Sequence, residues 1–92
     1  MAYYIALIHK EPGSGYSISF PDIPGVTAVA NMLDEAMREA SVALDFAFEN
    51  WSGAFPRPRT LDALRLDPEF LDHSADAVVA AVTPAPGMAD AA

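Results

Sequence analysis

Cysteine is absent from the 92 residues. Neither a disulfide framework nor a thiolate metal site is available, and a reducing compartment suits the chain. Basic residues are scarce: five Lys and Arg stand against 13 Asp and Glu, for a net charge of −8. Direct binding of nucleic acid needs a basic footprint to displace counterions, and that footprint is missing. Acidity of this size steers a basic partner toward the chain, and it serves solubility equally well. No apolar run is long enough to cross a bilayer. The opening MAYYIALIHK has no basic stretch ahead of its apolar run, so no signal peptide is read there and a cytoplasmic chain is expected.

What is present suits one small domain, expected over residues 1–82, with 83–92 (TPAPGMADAA) as a flexible tail or linker remnant. Residues 3–9 are apolar on both sides of the strand period, which predicts a central strand. The cluster EPGSG at 11–15 predicts a turn, and Tyr16, Ile18 and Phe20 then alternate with Ser17 and Ser19 as a half-buried strand over 16–20. Pro21 and Pro24 cannot donate to a ladder and stop that strand, while Gly25 is free to turn the chain into a third strand at 26–30. The helical period from Leu33 to Trp51 predicts one long helix, capped by Asn31 or Asp34 and stopped by Gly53. Its core stripe is predicted to be Leu33, Met37, Ala40, Leu44, Ala47, Phe48 and Trp51. Short helical turns after Thr60 and Asp67 and a strand at 77–82 complete an α+β pattern.

Catalytic chemistry finds little support. The four predicted strands hold no Asp or Glu, so no carboxylates converge as a metal-dependent nuclease requires. The serines lack a nucleophile-elbow context, and GSG at 13–15 lacks the Lys of a phosphate-binding loop. His9 and His73 are far apart and have no spaced ligand partner. No metal site and no cofactor are expected. Arg57 and Arg59 offer a small basic spot for a phosphate or carboxylate. Val42 and Phe46 fall among Glu35, Glu39 and Glu49 on the side of the helix away from the predicted stripe. Either they form an exposed apolar patch ringed by acid, or the segment 61–71 covers them.

The order Y-Y-I-A-L-I, a Gly-rich turn, G-Y-S-I-S-F-P-D-I-P-G-V-T-A, a helix opening D-E-A, and then P-R-P-R-T-L resembles the HicB-like antitoxin family over Tyr3 to Val82. Its most specific part is F-P-D-I-P-G, made by Phe20, Pro21, Asp22, Ile23, Pro24 and Gly25, followed by a strand and the Glu35–Ala36 helix start. The resemblance implies a partial ribonuclease-H-like fold in β-β-β-α-β order, an antiparallel sheet of three to four strands with the long helix on one face. It implies a binding platform that neutralises a small basic HicA-like mRNA-cleaving toxin by covering its active site, without enzymatic activity of its own. Asp22, Glu35, Glu39 and Glu49 are then the candidate polar contacts, with Val42 and Phe46 as apolar anchors. Family members often add a C-terminal DNA-binding module. Residues 83–92 are too short and too poor in bases for one, so operator binding is not expected of this chain. Homo-oligomerisation is expected. A stand-alone oligomeric module without a toxin, associating through sheet edges or through Val42 and Phe46, is the alternative reading.

Overall fold

A computed structural model describes residues 3–13 and 15–84. Most of the tail expected at 83–92 lies outside the described residues. Four strands, β1 (Tyr4–Lys10), β2 (Tyr16–Ser19), β3 (Thr27–Ala30) and β4 (Ala77–Val82), form one antiparallel sheet in the order β3-β2-β1-β4. The long helix α1 (Leu33–Glu49) follows β3, and the short helices α2 (Leu61–Leu64) and α3 (Pro68–Ser74) precede β4. The α+β fold and the β-β-β-α-β order read from the residues are both present.

β1 is central, and its alternation explains why it is apolar on both sides. Tyr4, Ala6 and Ile8 point into the core beneath α1, with Ile18 and Leu44. Ile5 and Leu7 point the other way, against Leu64 of α2 and Phe70 of α3. The sheet is thus covered on both faces along β1, and each fully buried Ile or Leu contributes about 1.5–3 kcal/mol of transfer free energy.

α1 lies chiefly over β3 and β2. Its buried ridge is Ala36, Ala40 and Leu44, while Leu33 and Met37 are exposed. The predicted stripe is therefore turned at its N-terminal half. Two alanines four residues apart let the helix approach the sheet closely, and the bulkier side chains are displaced to the rim. The cap also differs. Met32 occupies the N-cap without a side-chain bond, and Glu35 reaches back instead, its Oε1 accepting the Asn31 N–H at 2.9 Å. This resembles the returning half of a capping box, and Asp34 and Glu35 also complement the helix dipole. At the other end the helix stops at Asn50, ahead of Gly53. The Phe46 carbonyl accepts both the Asn50 backbone N–H at 3.2 Å and the Asn50 side-chain amide at 2.9 Å, so Asn50 closes the last turn twice.

The corner at 20–26 is two consecutive turns. Ile23 N–H donates to the Phe20 carbonyl (3.1 Å), and Val26 N–H donates to the Ile23 carbonyl (3.2 Å). Pro21 and Pro24 each take the second turn position, where their fixed φ fits. Gly25 has φ +93°, as the third position of a type II turn demands. Between the turns, Ile23 points inward and is fully buried beside Phe20.

Candidate protein-binding surface

Asp22 is committed within the chain. Its Oδ1 accepts from Arg59 Nε and its Oδ2 from the Arg59 backbone N–H, both at 2.6 Å. Its side chain is only 7% exposed. Arg59 Nη1 also reaches Asp67 Oδ2 at 3.3 Å, and Asp67 Oδ1 caps α3 by accepting the Glu69 N–H at 2.9 Å. The Glu69 N–H, followed by the Arg59 guanidinium, holds the Asp67 carboxyl below its ordinary range. The Asp22 hydrogen bond in turn pushes the Arg59 guanidinium still higher. One arginine therefore clasps the corner, the PRPR segment and α3 together. The basic spot expected at Arg57 and Arg59 is half spent on this clasp: Arg59 is paired, while Arg57 has no carboxylate partner among the described residues.

A second tie holds the same segment. The Tyr4 hydroxyl donates to the Pro56 carbonyl. Burial, with the Asp22 carboxylate adding to it, pushes the Tyr4 phenol up from its usual range. Tyr4 meets Phe48 edge to face and Phe48 meets Phe55 at a tilt, with ring centroids 5.4 and 4.5 Å apart. The path of 54–76, which the residues alone left open, follows from these ties. α2 and α3 lie on the sheet face opposite α1, so the segment 61–71 does not cover Val42 and Phe46.

Both side chains are consequently open, Val42 48% and Phe46 66% exposed. α1 carries Asp34, Glu35, Glu39, Asp45 and Glu49 against Arg38 alone, which is five negative charges and one positive, or −4. Glu35, Glu39, Val42, Phe46 and Glu49 thus share the outer side of one helix, as expected, with Glu35 partly occupied by its bond to Asn31. Asp22 does not join them.

The neighbour of this helix face is the outer edge of β3, which no described strand pairs and which the residues alone did not reveal. Two shallow grooves border that edge. One, of about 350 Å³, is lined by Glu11, Glu35 and Glu39 together with Val29 and Asn31. The other, of about 430 Å³, lies between the corner (Pro24–Thr27) and Ala43, Phe46, Ala47 and Trp51. An acidic groove and an apolar groove therefore flank a strand edge left open among the described residues. Such a strip can accept a basic partner in three ways: through carboxylates, through an aromatic anchor, and through backbone hydrogen bonds.

A third recess, of about 430 Å³, lies on the opposite face among Leu7, Ser19, Arg59, Phe70 and His73. Three of its polar side chains, Arg59, Asp67 and His9, are already engaged within the chain. Arg59 is in the clasp, and His9 Nε2 donates to the His73 carbonyl at 2.8 Å. Among the described residues no three of His, Asp and Glu group as metal ligands would. No described helix is long and apolar enough to cross a membrane.

A family model described as "HicB_like antitoxin of bacterial toxin-antitoxin system" matches residues 4–89. Comparison with curated proteins gives no match. Among solved structures, the antitoxin HicB of Burkholderia pseudomallei is similar at 27% identity and a TM-score of 0.74, over 95% of this chain and 64% of that one. The chain thus spans less than two thirds of that antitoxin's length. The N-terminal domain of the same antitoxin is similar at 28% identity and a TM-score of 0.68, over 88% of this chain and 95% of that domain.

Proposed function

The chain belongs to the HicB-like antitoxin family of bacterial toxin–antitoxin systems, and we propose that it acts as the antitoxin, binding a small basic HicA-like mRNA-cleaving toxin and masking its active site. The observation that carries this reading is the strip formed by the outer face of α1 and the edge of β3. In a chain of net charge −8, it sets Glu35, Glu39 and Glu49 beside one exposed aromatic, Phe46. Attraction between opposite net charges speeds the encounter, and desolvation of Phe46 and Val42 slows dissociation. The stiff corner at 20–26 forms one wall of the apolar groove and loses little entropy when a partner docks there. In this reading the chain works in the cytoplasm, needs no cofactor and catalyses nothing.

Co-expression with a reading frame for a small basic HicA-like toxin tests the proposal. Expression of that frame alone should arrest growth. Adding this chain should restore growth, and the two should co-purify as a complex. Persistent arrest with no complex would overturn the proposal.

A further inference from the structure

The other edge of the sheet has a different character. β4, with the sequence AVVAAV, pairs with β1 on one side, and no described strand pairs with its outer side. Its composition is that of an interior strand, because every residue is Ala or Val on both faces. Yet Val78 is 47% and Val79 39% exposed, and Ala81 is exposed as well. Natural edge strands are usually protected by a charge, a proline, a bulge or short length. None of these interrupts the six residues of β4. The next carboxylate is Asp76, just before the strand.

Charge decides which partner suits which edge. The β3 edge is flanked by Glu11, Glu35 and Glu39, and two copies of this chain would repel each other there. The β4 edge carries no charge along its length, so two like-charged chains can meet at it. We propose that β4 is a self-association edge, where a second copy of the chain pairs antiparallel to make an eight-stranded sheet about a two-fold axis.

The strand is compatible with itself in that arrangement. A two-fold axis perpendicular to the sheet keeps each residue on its own face, so the register centres on Val79 or on Ala80. About Val79, Val78 faces Ala80 and Ala77 faces Ala81. About Ala80, Val79 faces Ala81 and Val78 faces Val82. Asp76 then faces Val82 or Pro84, never its own copy, so no like charges stand opposite each other. Either register leaves the α1 and β3 strip of both copies free.

Sedimentation of the chain across a concentration series tests this, together with Val78→Glu and Ala81→Glu, which probe opposite faces of β4. The wild type should sediment as a dimer. Each variant should dissociate about tenfold or more readily while keeping its helical circular dichroism. Phe46→Glu should remain a dimer. Hydrogen exchange on the wild type supplies a readout that needs no variant: amides of β4 should exchange more slowly as concentration rises, and those of β3 should not. A wild type that stays monomeric throughout would overturn the proposal, and so would slowing at β3 in place of β4. Protection, in a monomer, of the β4 amides that point away from β1 would mean that the chain itself covers this edge and would equally overturn it. None of these outcomes depends on toxin binding, so this inference and the proposed function stand or fall separately.

Discussion

Replacing Ile23 with Ala should lower the stability of the fold by about 3 kcal/mol, although the residue lies in no helix or strand. For a domain of this size that is a fall in melting temperature of about 15 °C, measurable by thermal unfolding followed by circular dichroism. Ile23 is fully buried, and it is held between the two turns made by Pro21 and by Pro24 with Gly25. The turns limit how far the backbone can collapse into the space that Ala would leave, which is the condition under which a cavity is costly. Asp22→Ala should cost less, about 2 kcal/mol, because it removes two hydrogen bonds from Arg59 but leaves an arginine that can turn toward water. A loss below about 1 kcal/mol for Ile23→Ala would mean that the corner is not part of the core.

Phe46→Glu should weaken toxin binding by about 100-fold, a loss of about 3 kcal/mol, and change the melting temperature little. Phe46 is 66% exposed and lines the apolar groove beside the corner, so its removal leaves no cavity in the core. The sign of the substitution makes the result informative. It adds a negative charge to a chain that is proposed to attract a basic partner, so electrostatic steering alone would favour tighter binding. A loss of affinity therefore isolates the apolar anchor from the surrounding acid. Titration calorimetry with a catalytically inactive toxin measures it, with Asp22→Ala as the control that should change stability and leave affinity near the wild type's. Unchanged affinity in Phe46→Glu would move the interface elsewhere.

Strands, the long helix and both short-helix caps were legible in the residues, because each rests on local chemistry. Alternation marks β2, Thr60 and Asp67 carry the side chains that accept the Ala63 and Glu69 N–H groups, and Pro68 opens α3. The outer face of α1 was legible for the same reason, since helical spacing alone places Glu39, Val42, Phe46 and Glu49 together. What escaped local reading depends on contacts distant in sequence. The Asp22–Arg59 clasp spans 37 residues, and neither side chain signals the other. Asp22 resembles an ordinary turn aspartate from its neighbours alone. The rotation of the buried ridge to Ala36, Ala40 and Leu44 depends on how closely the helix approaches the sheet, which hydrophobicity alone underweights for alanine. Glu35 was read as a partner contact, yet its carboxylate reaches back to Asn31, because Met32 provides no cap. Strand order matters most here. Composition marks β3 and β4 as strands, but only the sheet shows that both are edges, one bordered by glutamates and the other uncharged.

Chemical-shift mapping of the isotope-labelled chain, titrated with an inactive basic HicA-like toxin, tests the central claim most directly. The account predicts that the largest changes follow the outer side of α1 from Glu39 to Glu49 and the edge of β3, with Val26 and Thr27 of the adjoining groove, while β4 is unaffected. Changes concentrated around Arg59, Phe70 and His73 on the opposite face, with α1 silent, would contradict it.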